Sequence, residues 1–586
     1  MESNIEIQQE RDINSSMPIV LQPLAKSERI QELDVIRGFA LIGIFFMNVE
    51  FFNRSMGELG LGMPVGLTGA NWFASWFVAY FIAGKFWTIF SLLFGMGFAV
   101  MLTRAEESGR GFVRPYLRRI AALAVFGALH HILIWPGDIL FSYAVSAGGL
   151  MVILFGTWRW ILLSLVLLIG LGFIPDMEPA WAFAGSLAFF GAIAIFMRNE
   201  RLFKFGQLRL PLFSSIYCVM GFLLALGMVS SWFIPQMKEA KIPLGIATPV
   251  TFLIAFLSAK FHQPTLARSW RIGATIYLSI FSAMTIADAI DYFKPVPAIA
   301  SASTPTATTT ATAATSPTII SKVANNAPSK ETKKEGSKKI DKTEAEKATD
   351  KKAERAKRLK ERQEKIQTEI KVLTQGSYTQ AVALRAKDFA ERAAGQANFA
   401  IIVISMFLIG VWFVRSGVIA NVSANLSLFR KMAFFGLPMG IGLGLLGSAI
   451  SVRHVLGQDK DGFQLAAGLL EIGNLPASLG YASMVILMLH SASNLAKIRV
   501  LAPFGRMALT NYLSQSVIAS MFFYGYGLGN WGLGRAMQLV FVAGVVVVQI
   551  KFSHWWLARF NFGPVEWLWR AITYWTLPPL RVTQKT

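Results

Sequence analysis

The sequence predicts an all-α, polytopic membrane helix bundle. Of the 586 residues, 54% are hydrophobic and only 15% are charged. Apolar segments of about 20 residues, long enough to cross a hydrocarbon core of ~30 Å, recur along the chain. The basic residues are concentrated in short loops between these segments, as is typical of loops on the cytoplasmic side of a membrane. A soluble protein of this size would need many polar helix faces, and few are present.

About fourteen segments are apolar enough to be membrane spans. The second of them is long enough for an interfacial turn followed by a span. In chain order the segments are 35–53, 72–103, 115–135, 138–157, 159–174, 180–197, 211–233, 245–259, 271–292, 398–414, 433–451, 474–494, 506–528 and 534–552.

Every second loop between these segments is basic, which predicts that both termini lie in the cytoplasm. Residues 1–29 are polar and lack the basic and apolar regions of a signal peptide, so they are predicted to form a cytoplasmic segment. The basic loop positions are Arg104, Arg110, Arg114, Arg118 and Arg119; Arg198, Arg201, Lys204 and Arg209; Lys260, Arg268 and Arg271; Arg415, Arg430 and Lys431; Lys497, Arg499 and Arg506.

A long polar interruption, 294–397, follows the ninth span and is therefore predicted to lie outside. Residues 296–329 are rich in Ala, Thr, Ser and Pro, which indicates a disordered linker. Residues 330–371 mix Lys, Glu and Ala, which predicts a solvated helix with i,i+4 ion pairs and almost no apolar stripe. Because sustained apolar heptads are missing, a coiled coil is excluded, and this helix is interpreted as a tether or a surface-binding helix.

Composition and motif content exclude several classes of function. The net charge of +22 is explained by the basic loops, so no nucleic-acid partner is predicted. Cys218 is the only cysteine, which rules out an intrachain disulfide or a multi-cysteine metal site. The sequence contains no Walker loop or HExxH motif, and no Rossmann glycine fingerprint follows a strand. Since the six His are scattered, we predict no metal site and no tightly bound cofactor.

The first span has polar groups at both ends, and polar groups in spans are costly and usually functional. Asp34 and Arg37 are three residues apart, so they can pair on one helix face. In that arrangement the pair is structural; alternatively, Arg37 binds the phosphate of a donor molecule. Asn48 and Glu50 lie at the opposite end, where they are interfacial residues or contribute to a pocket.

The third span carries His130 and His131 near its end, and Asp138 follows the Trp-Pro-Gly break. Adjacent helical residues differ by about 100° in direction, so we expect one of the two His to face the interior. Gly127, three positions earlier, favours His130. An interior His oriented by a carboxylate could act as a general base. The alternatives are an interfacial His pair and an Asp138 that caps the next helix.

The segment APFGRMALTNYLSQS places Arg506 near a cytoplasmic boundary and Asn511, Tyr512 and Gln515 within a span. These polar groups contact a ligand or hydrogen-bond between helices. The tail HWWLARFNFGPVEWLWRAITYW is aromatic and basic, as expected for an interfacial belt. Its Glu566 could also shape a cytoplasmic mouth.

Several blocks in one order resemble the bacterial YeiB-like inner-membrane proteins, long catalogued as a domain of unknown function. They are LDVIRGFALIGIFFMN, KFWTIFSLLFGMGFAVML, RRIAALAVFGALHHILIWPGDILFSYA, GSYTQAVALRAKDF, GRMALTNYLSQSVIASMFFYGYGLG and FSHWWLARFNFGPVEWLWRAITY. The resemblance covers about 30–175 and 362–580 and implies a core of about ten helices. Between these parts, 176–293 is interpreted as an insertion of about four helices and 294–361 as a disordered and charged-helix linker.

The YeiB-like family is distantly similar to the transmembrane acyltransferases, which move an acyl group from a cytoplasmic thioester to an acceptor on the far side. The similarity rests on Asp34-Val35-Ile36-Arg37-Gly38. The O-acetyltransferases of that group carry a His eleven residues after this Arg, whereas this chain has Asn48 there. Their His therefore cannot be transferred, and His130 would have to supply the base.

The resemblance implies an acyltransferase of the bacterial inner membrane that uses acyl-CoA, with acetyl-CoA the expected donor, and an envelope glycan or similar acceptor. Donor phosphates would meet Arg37, Arg118, Arg119 and Arg506. His130 would be the base, oriented by Asp138 or Glu50; Asn48 or a Tyr would stabilise the oxyanion. His131, Asn511, Tyr512 and Gln515 are further pocket candidates. A transporter, suggested by the broken and Gly-rich spans, and a non-catalytic scaffold remain alternatives, and a homo-oligomer is compatible with each.

Overall fold

Helices make up most of the described chain, and most of them are apolar. The structure, a computed structural model, describes residues 30–174, 177, 179–198, 202–205, 208–234, 240–260, 262, 268–293, 344–454 and 461–582. The predicted cytoplasmic segment 1–29 and the predicted linker 296–329 lie outside the described residues.

The helices follow one another along the chain with short connections. In order they are α1 Gln31–Asn48, α2 Gly69–Phe77, α3 Lys85–Glu107, α4 Val113–Leu133, α5 Leu140–Phe155, α6 Trp158–Leu171, α7 Pro179–Arg198, α8 Leu212–Phe233, α9 Lys241–Lys260, α10 Arg268–Phe293, α11 Glu344–Gln375, α12 Tyr378–Arg392, α13 Gln396–Arg415, α14 Leu426–Ile450, α15 Phe463–Leu489, α16 Leu501–Arg506, α17 Ala508–Phe523, α18 Arg535–Leu557 and α19 Pro564–Tyr574. A short antiparallel hairpin, β1 Leu202–Phe205 and β2 Leu208–Pro211, precedes α8.

The predicted all-α membrane class is confirmed. Each of the fourteen predicted segments contains helix. Within the described ranges, nine helices are long and apolar enough to cross a membrane, by length and composition, and three shorter apolar helices accompany them. The predicted count of about fourteen spans is therefore not confirmed by length and hydropathy.

The predicted second span is divided in the structure. It consists of α2, a single π-helical turn Val78–Ile82, a break at Ala83 and Gly84, and α3. Gly84 has a φ of +81°, in the left-handed region that favours glycine. A Cβ there would lie 2.0 Å from the side chain of Asn474 on α15, so both conformation and space require glycine.

Helix α13 is at the centre of the bundle. Its Val403, Met406 and Phe407 are wholly buried, and glycines of neighbouring helices bring their backbones against it. A Cβ on Gly95 of α3 would lie 2.3 Å from the Phe407 carbonyl, and one on Gly273 of α10 would lie 2.2 Å from the Ser405 carbonyl. Small residues permit this close backbone packing, which is a main source of helix association in lipid.

Helix α1 packs against the short helix α16 at a contact of the same kind. A Cβ on Gly505 would lie 1.9 Å from the Asp34 carbonyl, and one on Gly38 would lie 2.5 Å from the Leu501 carbonyl. The sequence-based expectation that Gly38 allows a close neighbour is met. This contact brings Asp34, Arg37 and Arg506 to the same end of the bundle.

The charged helix α11 docks on the loop after α1. The Glu369 carboxylate accepts hydrogen bonds from the Ser55 hydroxyl and, at 3.1 Å, from the Met56 N–H. Arg362 donates to the Gly57 carbonyl at 2.9 Å. The C-terminal half of α11 therefore attaches to its own chain, and α12 continues from it across the end of α4.

Candidate functional site

A cavity of about 650 Å³ lies between α1, α3, α4, α5, α16, α17 and α19. One end, the basic mouth, is lined by six arginines. The opposite end is closed by Tyr143 and Tyr512, and apolar side chains line the space between, among them Phe90, Leu93, Phe94, Val100, Met101 and Leu123. The arginines of the basic mouth are Arg37, Arg104, Arg110, Arg119, Arg506 and Arg570.

The basic mouth is held in place by local contacts. Arg37 donates to the Asp34 carboxylate at 2.9 Å, which confirms the predicted pairing of these two residues. The Arg119 guanidinium lies 3.9 Å from the ring centroid of Trp569, whose indole N–H donates to the Arg119 carbonyl at 3.0 Å. Sequence reasoning predicted Arg37, Arg119 and Arg506 here but assigned Arg104, Arg110 and Arg570 only to loops and tail.

Two arginines of the basic mouth retain an unused hydrogen-bond donor among the described residues. The Nε atoms of Arg110 and Arg506 are buried without a hydrogen-bond partner among the described residues. Guanidinium groups at the end of an apolar cavity are suited to hold phosphate or carboxylate by bidentate hydrogen bonds.

Glu566 contributes a carboxylate to the cavity wall and closes the start of α17. It accepts hydrogen bonds from the backbone N–H groups of Leu509, at 2.7 Å, and Thr510, at 3.1 Å, as well as from the Thr510 hydroxyl. Burial raises the pKa of Glu566, although these hydrogen bonds oppose the rise. A carboxylate at a helix N-terminus satisfies exposed N–H groups and complements the helix dipole.

His130 and Asp138 form a buried dyad at the tyrosine end of the cavity. His130 Nδ1 is 2.9 Å from Asp138 Oδ1, and both side chains are within 1% of complete burial. Asp138 Oδ2 also accepts the Phe141 N–H at 2.8 Å, so this residue both holds His130 and caps α5. A Cβ on Gly127 would collide with the Phe141 N–H, 2.3 Å away, so the glycine permits the approach of α5.

The hydrogen bond determines which nitrogen of His130 is available. When Asp138 is ionised, its carboxylate only accepts, so the ring proton lies on Nδ1 and Nε2 carries a lone pair. Nε2 has no hydrogen-bond partner among the described residues. A neutral imidazole with a free lone pair and a carboxylate on its other nitrogen is the arrangement of a general base.

Tyr512 separates the dyad from the cavity. Its ring centroid is 5.2 Å from that of His130, and it lines the cavity. Its hydroxyl is buried and, within the described ranges, has no hydrogen-bond partner. The structure therefore places the His130 imidazole and the Tyr512 phenol ring next to each other at the closed end of the cavity.

His131 is also buried, which corrects the expectation that one His alone faces inward. Its Nε2 is 3.1 Å from Asp388 Oδ2 on α12. The reason is that α12 covers the face of α4 that would otherwise be exposed. Arg385 donates to the carbonyls of Leu133, at 2.9 Å, and Ile134, so α12 also satisfies the end of α4. No feature of the sequence predicted that α12 packs against α4.

Attachment of α12 is expected to weaken in acid. Burial alone would raise the pKa of Asp388, but the hydrogen bond with His131 and the nearby Arg392 charge lower it overall. A carboxyl whose pKa is depressed in the folded state stabilises that state above its unfolded pKa of ~3.9, and the stabilisation is lost as pH falls through the folded value. We expect proteolysis within 378–392 to accelerate below pH ~4. Asp388→Asn should be cleaved readily at pH 7 and show no such acid step; an unchanged pH profile in this variant would contradict the assignment.

Two residues at the C-terminal end of α1 that were predicted to belong to the site do not line the cavity. Glu50 pairs with Arg54 at 2.7 Å and with Arg535 at 3.3 Å, so these cations and not His130 hold its carboxylate. Asn48 ends α1, half-buried, and is not among the residues that line the cavity. The expectation that Glu50 helps to orient His130 is corrected: Asp138 has that position.

Three further predicted residues are removed from the cavity by their contacts. Arg118 is exposed and lies over Trp575 at 5.4 Å. Asn511 donates to the Phe504 carbonyl and the Ser553 hydroxyl, each at 3.0 Å. Gln515 donates to Gln549 at 3.0 Å. Asn511 and Gln515 thus bond α17 to its neighbours, as the structural alternative predicted.

The fold and this cavity define a polytopic α-helical membrane protein with a basic cavity. Comparison with known proteins confirms the predicted YeiB-like resemblance. Residues 413–576 match a family described as "Protein of unknown function (DUF418)". The uncharacterized protein YxaH of Bacillus subtilis is 24% identical over 571 residues, 96% of this chain and 98% of its own length.

Two further relatives match more closely over shorter stretches. The uncharacterized protein YeiB of Escherichia coli is 36% identical over 172 residues, 29% of this chain and 43% of its own length. An uncharacterized 39.9 kDa protein of Bacillus acidopullulyticus is 39% identical over 131 residues, 22% of this chain and 35% of its own length. No solved structure matches.

Proposed function

We propose that this protein is an integral-membrane acyltransferase of the bacterial inner membrane. It takes an acyl group, acetyl being the simplest, from acyl-CoA and transfers it to an envelope glycan or a similar hydroxyl-bearing acceptor. The observation that supports this most strongly is the basic cavity itself, with arginines at one end and the His130–Asp138 dyad behind Tyr512 at the other.

The length of the cavity suits a thioester with a long arm. Arg119 and His130 lie on the same helix, eleven positions apart (130 − 119), which is roughly 16 Å along the axis at ~1.5 Å per residue. A donor whose phosphates bind in the basic mouth would extend its uncharged arm between Phe94 and Leu123 and present its thioester near Tyr512. The positive-inside distribution of the loops supports a cytoplasmic mouth.

The dyad supplies the proton transfer. His130 Nε2 takes the proton of the acceptor hydroxyl while its oxygen attacks the thioester carbonyl and forms the new C–O bond. The Tyr512 hydroxyl donates to the carbonyl oxygen as negative charge develops there. The C–S bond then breaks, and the leaving thiolate recovers the proton from the imidazolium. Asp138 stabilises that imidazolium and keeps Nδ1 protonated.

The direct test supplies purified protein in lipid vesicles with acetyl-CoA labelled on the acetyl group and with candidate envelope glycans. We expect label to move to a glycan. Label that stays on the thioester with every acceptor, although the protein binds acyl-CoA, would contradict transfer.

Charge at the basic mouth provides a prediction with a matched control. Arg119→Gln removes a guanidinium from the cavity wall, and loss of one charge-assisted hydrogen bond of ~1.5–3 kcal/mol should weaken acyl-CoA binding about 10- to 100-fold. Arg118→Gln changes the adjacent arginine, which is exposed and outside the cavity, and should have little effect. Equal losses in the two variants, measured by calorimetry at one ionic strength, would show that only general surface charge matters.

A transporter is the second candidate, favoured by the break at Ala83 and Gly84 inside a predicted span. Discontinuous helices of this kind occur at substrate sites of secondary transporters. Vesicles that accumulate a labelled envelope precursor, without acyl turnover and with unchanged flux in His130→Ala, would favour transport.

A further inference from the structure

A second group of buried polar residues lies at the break that precedes α3, apart from the residues that line the cavity. The Ser478 hydroxyl of α15 donates to the Lys85 carbonyl at 2.8 Å. Ser478 is fifteen positions from the start of α15 and eleven from its end (478 − 463 and 489 − 478), so Lys85 is level with the middle of an apolar helix. Irregular backbone at such depth occurs where it is enclosed by protein, often beside an ion site.

The Lys85 side chain is buried, and its ammonium group makes no hydrogen bond to the described residues. The residue is 0% exposed, and within the described ranges its Nζ has no hydrogen-bond partner. An ammonium ion without a hydrogen-bond acceptor is one of the least favourable groups in a protein interior. Charged side chains buried within membrane-spanning helices are usually functional.

One carboxylate, Glu471 on α15, acts electrostatically on Lys85 without a hydrogen bond between the two groups. The Glu471 side chain accepts a hydrogen bond from Asn474 Nδ2 at 3.0 Å. Its backbone carbonyl accepts the Tyr277 hydroxyl of α10 at 2.6 Å. Among the described residues, Glu471 is thus the charged group that acts on Lys85, Asn474 and Tyr277 hydrogen-bond to Glu471, and Ser478 hydrogen-bonds to the Lys85 backbone.

The contacts indicate which of the two charges is easier to lose. The Glu471 carboxylate accepts a hydrogen bond from Asn474, whereas the Lys85 ammonium has no acceptor in the described part of the chain. If the two charges only stabilised the fold, we would expect them to hydrogen-bond to each other. For a buried ion pair without that hydrogen bond, the desolvation cost exceeds the electrostatic attraction.

We propose that Lys85 is an exchangeable-proton site within the membrane part of the protein. The ammonium releases one proton to water and becomes a neutral amine, Glu471 stays ionised, and the site changes from neutral to singly negative.

Exchange of this proton is coupled to the break and to the cavity. Gly84, which has a positive φ, is packed directly against Asn474. A change of charge at Lys85 therefore acts on the break at Ala83 and Gly84. Six positions after Lys85 on α3, Ser91 donates to the hydroxyl of Tyr143 at 3.0 Å, and Tyr143 closes the cavity. Movement of α3 therefore changes the closed end of the cavity.

The test places a fluorine probe at the break of the full chain. In a Cys218→Ser background, which removes the native thiol, Ala83→Cys is labelled with a trifluoromethyl reagent and its ¹⁹F NMR signal is followed in lipid nanodiscs from pH 6 to 9. We expect the signal to move between two positions with one midpoint. Lys85→Met should hold it at the high-pH position and Lys85→Arg at the low-pH position.

Two comparisons make the result specific. Glu471→Gln removes the opposite charge and should lower the midpoint by at least about one pH unit, since nearby negative charge favours the ammonium. Lys365→Met, which alters a salt-bridged lysine whose side chain is 72% exposed, should titrate like the parent. If Lys85→Met does not fold, the neutral pair Lys85→Met/Glu471→Gln replaces it. A parent signal that is constant from pH 6 to 9, or a Lys85→Met signal that still titrates, overturns the proposal, as does a signal that follows Na⁺ at constant pH.

Discussion

Replacement of His130 by Ala is expected to lower acyl transfer by about 10²- to 10⁴-fold while acyl-CoA still binds. This is the usual range for loss of a positioned general base. The expectation follows from the geometry at Nε2, which has no hydrogen-bond partner among the described residues, and at Nδ1, which is fixed by Asp138. Rates are measured with labelled acetyl-CoA, and binding is measured separately by calorimetry.

The neighbouring histidine is the matched control for this experiment. His131 is on the same helix, is buried to a similar degree and also faces a carboxylate, but that carboxylate belongs to α12. His131→Ala should retain most of the transfer rate and instead increase proteolysis within 378–392. If His131→Ala abolishes transfer and His130→Ala does not, the dyad has been assigned to the wrong residue.

Conservative variants distinguish a catalytic role of the dyad and Tyr512 from a structural one. Asp138→Asn preserves the size of the side chain but cannot fix the Nδ1–H tautomer, so transfer should fall with little change in binding. Tyr512→Phe removes a hydroxyl with no partner in the described part of the chain and should slow transfer without loss of thermal stability. A large drop in stability in either variant would indicate a structural role.

The sequence predicted the parts of the fold that depend on hydropathy. Apolar segments of the right length become helices in lipid because a helix satisfies all backbone hydrogen bonds within one segment, and each predicted segment contains helix. The length of 72–103 predicted a turn followed by a span, but not where the turn lies. The break is at Gly84, which has a positive φ and packs against Asn474, 390 positions away (474 − 84).

The site was predictable where its residues are neighbours in sequence. His130 and Asp138 are eight positions apart across a Pro-Gly turn, and Asp34 and Arg37 share one helix face, so local geometry suffices. Glu50 was placed wrongly because its partners include Arg535, which only the packing of α18 brings near. Likewise, Arg570 reaches the basic mouth only because α19 folds back over α4.

Substitution of Gly505 by Val is expected to have the largest effect on the structure of the basic mouth. The Cβ alone would lie 1.9 Å from the Asp34 carbonyl and 2.6 Å from the Gly38 N–H, both backbone atoms that a rotamer change cannot move. Helices α1 and α16 would have to separate, and overpacking of this kind costs ~1–3 kcal/mol or more. Separation would also carry Arg37 away from Arg506, so acyl-CoA binding should weaken even in molecules that remain folded.

Gly148→Ala is the matched control for that substitution. This glycine is also inside an apolar helix, α5, but a Cβ there meets nothing within 4 Å, so the change should be neutral or stabilise the helix by up to ~1 kcal/mol through its propensity. Thermal unfolding in detergent and acyl-CoA calorimetry are measured for both variants, with Gly505→Ala as an intermediate step. The expected order of loss is Gly505→Val, then Gly505→Ala, then Gly148→Ala. Equal stability of the three would mean that α1 and α16 can move apart freely, and the arginines of the mouth would then not be held by this backbone contact.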